Sequence, residues 1–177
     1  TSMLNSFQFE TAFEAHVKNG DDVVAIVLSS ALSGTCGAAK RAAENFPDRG
    51  FVVDSLSATM GVKILIEYAL RLIEEGKTAK EIFTLLEEKK GKVQIRAMVD
   101  TLKYLKKGGR VSPLVAFAGE LMGIKPMLSV VDGKVEVIGK AIGLKKAVSF
   151  INAEIDKVGG IDFDMPFYAL YSGNDPS

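Results

Sequence analysis

The residues best suited to chemistry form a hydroxyl-rich loop at residues 29–35, with the sequence SSALSGT. The loop follows an unbroken apolar run at residues 23–28 and precedes a stretch of small residues that predicts a helix. Ligands of open α/β sheets bind where strands end, and a helix start offers free N–H groups and a positive dipole end. With four hydroxyls as further donors, the loop fits a carboxylate or a phosphate. The alternative is a polar turn that only caps the helix.

Two smaller polar clusters accompany this loop. Thr1-Ser2 with Asn5-Ser6 is, by itself, a helix-capping sequence. Asp54-Ser55 ends the next apolar run, so these residues are expected near the same edge of the sheet. Asp54 would either orient the hydroxyl-rich loop or cap the helix that follows.

The sequence gives little support for catalysis. A Ser or Cys nucleophile needs a neighbouring base, and the single histidine, His16, falls on an amphipathic pattern typical of a surface helix. Cys36 stands among glycine and alanine and is interpreted as a packed residue. The sequence contains no GxSxG, Walker A or GxGxxG motif and no Cys/His cluster. We therefore predict a non-catalytic chain without a metal or other cofactor.

Strand and helix patterns alternate in the first third of the chain. They predict a helix at 7–18 capped by Asn5 or Ser6, a buried strand at 23–28, a helix at 36–45 and a strand at 51–53. The order strand, helix, strand indicates a βαβ unit.

The remaining chain favours helices and one hairpin. Asp132-Gly133 between two apolar runs is a strong hairpin signal, and Thr78 with Glu81 forms a capping box. One predicted helix is capped by Thr78 and turns Ile82, Leu85 and Leu86 inward. The other predicted helices lie at 58–75, 102–107, 113–122 and 144–157, and the predicted strands at 94–99, 127–131, 134–138 and 167–171.

These patterns predict an α/β fold of two lobes. One lobe has a mostly parallel sheet with flanking helices, and the other is helix-rich and contains the hairpin. We place the lobes at residues 1–57 and 58–177. The chain starts without Met and ends just after a strand-like run, so we expect that it lacks terminal segments of a longer protein.

Charge and cysteine content narrow the class of protein. Basic and acidic residues both number 22, so the net charge is zero, which argues against broad nucleic-acid binding. One cysteine allows no internal disulfide and favours a cytoplasmic location. No apolar stretch reaches the about 20 residues of a membrane span.

Residues 101–110 (TLKYLKKGGR) form the most basic segment of the chain, with Lys103, Lys106, Lys107 and Arg110 within eight residues. Such a segment could dock an acidic partner or lipid headgroups. The alternative is a solvated helix end with cations near its C-terminus.

Several short motifs, each present once, are distributed along almost the whole chain. They comprise Thr1-Ser2 with Asn5, SSALSGT at 29–35, VDS at 53–55, TLKYLKKGGR at 101–110, GIKPML at 123–128, Asp132-Gly133 and KKA at 145–147. Together these motifs resemble the DegV family of bacterial fatty-acid-binding proteins.

The resemblance implies a two-lobed protein with one long-chain fatty acid between its lobes. It implies that the hydroxyls of Thr1 and Ser33 donate hydrogen bonds to the carboxylate and that Ser2, Gly34 and Thr35 complete the headgroup site. Suggested tail-binding residues are Met60, Ile64, Phe117, Leu121 and Met122, which serve equally well as plain core. The protein would present the carboxylate to a separate fatty acid kinase subunit, and the acyl phosphate would feed phospholipid synthesis. The docking residues for the kinase or a membrane surface would be Lys106, Lys107 and Arg110.

The sequence departs from the family pattern in four places. Leu4-Asn5 replaces the usual Pro-Ser, and Ile142 stands where a basic residue often precedes the KKA helix. The family's opening strand and its closing segment, with a histidine-containing glycine-rich motif, have no counterpart in the 177 residues. Two alternatives stay open beside lipid binding: an enzyme or phosphoryl-ligand binder that uses residues 29–35, and a module that only binds partners.

Overall fold

In a computed structural model, which describes residues 3–110 and 123–171, the first sheet is a parallel pair. Strand β1 (Val23–Val27) pairs with β2 (Gly50–Asp54), and helix α2 (Thr35–Ala43) connects them. The predicted βαβ unit is confirmed. Since parallel strands end at the same edge, the loop after β1 and the loop after β2 lie side by side.

Helix α1 (Ser6–Lys18) precedes this unit and begins where the capping pattern predicted. The Asn5 side chain accepts a hydrogen bond from the Gln8 backbone N–H at 3.0 Å, and the Gln8 side chain accepts one from the Asn5 N–H at 3.0 Å. This reciprocal capping box satisfies two N–H groups that a helix start otherwise leaves unpaired.

Two further helices follow β2, α3 (Met60–Glu74) and α4 (Ala79–Lys89), the second ending in a 3₁₀ turn (Lys90–Lys92). The predicted capping box of α4 is confirmed, with Thr78 and Glu81 bonded in both directions.

The first sheet is covered on both faces. On one face, Phe13, Cys36 and Ala39 of α1 and α2 pack against Val27 and Val52. On the other, α3 and α4 pack around Val53, whose alternate position along β2 points it the opposite way. The second set of buried residues consists of Val53, Leu65, Ala69, Leu72, Ile82 and Leu86.

This packing bears on the division into lobes. Because α3 and α4 bury their apolar faces against β1 and β2, we propose that they belong with the first lobe, whereas the sequence division after residue 57 assigned them to the second. We propose that the boundary follows the 3₁₀ turn.

The second sheet has three antiparallel strands, β3 (Arg96–Met98), β4 (Ile124–Val131) and β5 (Lys134–Ile142), in that order. Helix α5 (Lys103–Gly108) follows β3, and α6 (Gly143–Lys157) packs on the sheet through Ala147 beside Met127 and Ala141. The mixed α/β class, with a parallel sheet, flanking helices and a hairpin, is confirmed.

The hairpin turn lies at Asp132-Gly133, as predicted. Both residues have positive φ, 46° and 78°, which a two-residue type I′ turn requires. The strands are longer than the apolar pattern indicated, and β5 continues through Gly139. A Cβ on Gly139 would lie 2.6 Å from the Phe150 ring, so this glycine makes room for α6 and does not end the strand.

Two further predictions concern a strand at 167–171 and a helix at 113–122. The run at 167–171 was predicted as a strand, which is wrong: it forms an irregular segment that lies along α3. There the Tyr168 hydroxyl donates to Glu67, and Lys63 Nζ lies 4.3 Å from the centre of the Tyr168 ring. These side-chain contacts replace the backbone pairing that a strand would need. The helix predicted at 113–122 lies outside the described residues.

None of the helices within 3–110 and 123–171 is both long and apolar enough to cross a membrane.

Candidate functional site

The hydroxyl loop, residues 29–35, leads from the end of β1 into α2. Ser33 Oγ and Thr35 Oγ1 lie 2.8 Å apart, and Ser33 Oγ accepts a hydrogen bond from the Thr35 N–H at 3.2 Å. Gly34 is the N-cap of α2 and makes no side-chain cap. Ser33, Gly34 and Thr35 thus lie at a helix start that has no side-chain N-cap, where the dipole and the hydroxyls suit an anion.

The N-terminal motif is connected to this loop through Met3. A Cβ on Gly34 would lie 2.8 Å from Met3 Sδ, so the residue that follows Ser2 in the chain packs on the N-cap of α2. Thr1 and Ser2 themselves lie outside the described residues, and their place in a headgroup site stays a prediction.

Asp54 holds the hydroxyl loop from the neighbouring strand. Its Oδ1 accepts hydrogen bonds from the Ser30 N–H at 3.1 Å and the Leu56 N–H at 3.2 Å. Burial alone would raise the pKa of Asp54, but hydrogen bonds from Ser30 and from the Leu56 backbone outweigh it and lower that pKa. Of the two roles considered for Asp54, orienting the loop is the one the structure supports.

Ser29 and Ser30 differ in what they can offer a ligand. Ser29 is fully buried, and its hydroxyl donates to the Gly133 carbonyl at 2.7 Å. Ser30 is exposed. The two hydroxyls that lie at the start of α2 itself are those of Ser33 and Thr35.

A cavity of about 440 Å³ lies between the second sheet and the loop after β2, within the usual range for small-molecule sites. Ile95, Ala97 and Val99 reach it from every second position of the β3 region, as one face of a strand does. The lining is Ala58, Thr59, Ile95, Ala97, Val99, Asp100, Thr101, Tyr104, Leu105, Leu128, Ser129, Val130 and Val135.

The suggested tail residues are only partly located. Met60 and Ile64 are half-buried in α3, directly after the lining residues Ala58 and Thr59, but neither contributes to the lining. Phe117, Leu121 and Met122 lie outside the described residues. The alternation of apolar residues at 95, 97 and 99 was the sequence signal for the cavity wall, and it was interpreted only as a strand.

The basic segment contacts both the cavity and the hydroxyl loop. Tyr104 and Leu105 of α5 line the cavity, while Arg110 Nε donates to the Leu32 carbonyl of the hydroxyl loop at 3.4 Å. Lys106 and Lys107 are exposed. Arg110 thus joins α5 to the loop, and the two lysines face solvent.

Neither of the two residues considered as catalytic candidates, His16 and Cys36, has surroundings suited to catalysis. His16 Nδ1 lies 3.5 Å from Asp21, which precedes β1, whereas the hydroxyl loop follows the other end of that strand. Cys36 is 1% exposed, and burial, followed by the nearby Asp54 charge, raises the pKa of its thiol. In the described parts of the chain, no group of three or more His, Cys, Asp or Glu residues could hold a metal ion.

A parallel βαβ unit with flanking helices, followed by an antiparallel sheet that contains a hairpin, defines the class as a mixed α/β protein with two sheets. The chain belongs to the DegV family, whose pattern it matches over residues 1–165. It is 40% identical over 163 residues to a DegV domain-containing protein of Clostridium perfringens, covering 89% of this chain and 56% of the relative.

Two solved structures share the fold. One describes fatty acid binding of a DegV family protein from Thermus thermophilus, with 34% identity, a TM-score of 0.79 and coverage of 89% of this chain and 56% of the other. The second is the fatty acid kinase B3 protein of Streptococcus pneumoniae loaded with linoleic acid, with 26% identity, a TM-score of 0.76 and coverage of 89% and 57%. The chain spans little more than half the length of each relative.

The Asp54 hydrogen bonds predict a specific dependence of stability on pH. Because folding lowers the pKa of Asp54, its contribution is present above the unfolded value, near 3.8, and is lost as the pH falls through the folded value. Asp54→Asn should lower the free energy of unfolding at pH 7 by about 1 kcal/mol, since bonds to a charged acceptor are stronger than bonds to a neutral one. Urea denaturation from pH 7 to pH 3 measures this difference.

The matched control is Asp48→Asn, an exposed carboxylate in the loop before β2. It should leave the pH profile of stability unchanged. If the free energy of unfolding of Asp54→Asn stays below that of the wild type by the same amount down to pH 3, the role given to the Asp54 charge is contradicted.

Proposed function

We propose that this chain forms part of a protein that binds one long-chain fatty acid. The apolar cavity between the second sheet and the loop after β2 carries the proposal, because its side chains suit an alkyl tail. The carboxylate would lie at Ser33, Gly34 and Thr35, with Thr1 and Ser2 completing the headgroup site. Met3 packed on Gly34 supports that arrangement.

The energetics of such a ligand divide unequally between tail and headgroup. Burying about 14 methylenes at about 0.8 kcal/mol each contributes on the order of 11 kcal/mol gross. A net hydrogen bond contributes only about 1 kcal/mol, and somewhat more to a charge. The cavity would thus set the affinity, and the hydroxyls would set where the carboxylate lies.

The comparisons support the ligand class and suggest the role. Relatives from Thermus thermophilus and Streptococcus pneumoniae are described as binding a fatty acid or loaded with one, and the second is a fatty acid kinase B3 protein. We propose that this chain belongs to a non-catalytic subunit that presents the carboxylate to a separate kinase, whose acyl phosphate product enters phospholipid synthesis. In that role the protein would act in the cytoplasm and make transient contact with a membrane surface.

Native mass spectrometry of the intact protein, before and after denaturation, tests ligand binding. The expected result is a released mass that matches a long-chain fatty acid. Ala97→Phe should reduce the bound fraction at least tenfold or shift it to shorter chains, because Ala97 lines the cavity and a phenyl ring would fill it.

Ala153→Phe is the matched control, since Ala153 is exposed on α6, and its lipid content should equal that of the wild type. A wild-type protein that is empty and takes up neither added palmitate nor oleate would contradict the proposal. The hydroxyl loop as a phosphoryl-ligand site would then be the better interpretation.

Ser33→Ala tests the headgroup assignment. The variant should retain palmitate within about threefold of the wild-type affinity, because one lost hydrogen bond is small beside the tail. Acyl phosphate formation with a matching kinase should fall by about tenfold or more, because the carboxylate loses a group that orients it. Equal turnover by variant and wild type would place the carboxylate elsewhere.

Charge reversal on α5 tests the docking surface. Lys106→Glu with Lys107→Glu should weaken kinase or anionic-vesicle engagement at least fivefold and leave lipid content unchanged, because both side chains face solvent. The control pair is Lys77→Glu with Lys80→Glu, exposed lysines at the start of α4. Identical binding by the two double variants would exclude the α5 surface.

A further inference from the structure

The fully buried residue Ser29 joins three parts of the chain through its hydroxyl and its backbone N–H. The hydroxyl donates to the Gly133 carbonyl at 2.7 Å and accepts a hydrogen bond from the Ala31 N–H at 3.2 Å. The Ser29 backbone N–H donates to the Ser57 carbonyl at 2.8 Å. We name this group, Ser29 with Ser57 and Gly133, the Ser29 junction.

The junction reaches the headgroup site through the hydroxyl loop itself. The Ser29 carbonyl accepts hydrogen bonds from the Leu32 N–H at 3.0 Å and the Ser33 N–H at 3.2 Å. The turn that carries Ser33 is therefore built on Ser29. A displacement of Ser29 would move Ser33 with it.

The other end of the junction reaches the cavity. Gly133 is the second residue of the hairpin turn, and the strands on either side of it carry the cavity residues Leu128, Val130 and Val135. The fit at the turn is close: a Cβ on Gly133 would lie 2.3 Å from Ser29 Oγ and 3.6 Å from Leu56 Cα. The hairpin turn is thus held between the loops that follow β1 and β2.

We propose that Ser29 is a positioning residue that transmits occupancy of the cavity to the headgroup site. This inference rests on the proposed function. A tail in the cavity fixes β4 and β5, the turn at Gly133 fixes Ser29, and Ser29 fixes the backbone of Ser33. Ser29 itself makes no contact with the ligand, because its hydroxyl is committed to Gly133 and Ala31.

The test uses the intact protein loaded with palmitate that carries ¹³C at its carboxyl carbon. The wild type should show one narrow bound carboxyl resonance. Ser29→Ala should shift or broaden that resonance, while palmitate affinity stays within about threefold because the tail dominates binding. Ser149→Ala, which deletes an exposed hydroxyl bonded to the Lys145 carbonyl on α6, should leave the resonance unchanged.

Disruption from the other side gives an independent check. Gly133→Ala introduces the Cβ that would clash with Ser29 Oγ, and it should shift or broaden the same resonance. The double variant Ser29→Ala with Gly133→Ala should be less affected than the sum of the two single variants, because both changes break one contact. Additive effects would overturn the junction as the shared element.

If the variants do not fold, hydrogen exchange of the wild-type protein provides a test that needs no substitution. At saturation, palmitate should slow hydrogen exchange at the Leu32 and Ser33 amides more than octanoate does, because octanoate fills less of the cavity. Equal protection by the two acids, or a Ser29→Ala resonance identical to that of the wild type, would overturn the inference and leave fatty acid binding intact. A wild type without any bound carboxyl resonance would overturn both.

Discussion

The parallel pairing of β1 with β2 is the constraint on which the rest of the site depends. Its register, from Val23 opposite Gly50 to Val27 opposite Asp54, ends both strands at one edge. The hydroxyl loop and the loop after β2 are therefore neighbours, and Asp54 can reach across to the Ser30 N–H. A slip of one residue would turn Val52 and Val53 to the wrong faces and separate the two helix pairs from their cores.

Several elements could be predicted from the sequence because their signals are local. Asn5, Thr78 with Glu81 and Asp132-Gly133 each fix a helix start or a turn within a few residues, and each lies where it was expected. The buried apolar run at 23–28 likewise identified β1. The position of Ser33, Gly34 and Thr35 at a helix start could be predicted for the same reason, since a helix start after a buried strand is visible in the chain itself. Their part in binding a headgroup stays a prediction.

What the sequence left open depends on distant contacts. Nothing near Ser29 in the chain indicates that its hydroxyl bonds Gly133, which is 104 residues away. The packing of α3 and α4 on the first sheet is set by Val53 and its partners across the core, so local patterns could not assign these helices to a lobe. The run at 167–171 has the composition of a strand, but its environment is the exposed side of α3, and side-chain contacts to Lys63 and Glu67 decide its shape.

The position of Cys36 has a practical consequence for labelling. Its thiol is closed off between α2 and the first sheet, and burial raises its pKa, so we expect little thiolate at neutral pH and a slow reaction with maleimides. A cysteine introduced at an exposed position would react first. The natural thiol could then stay in place while fluorophores or spin labels are attached to the hairpin or to α5.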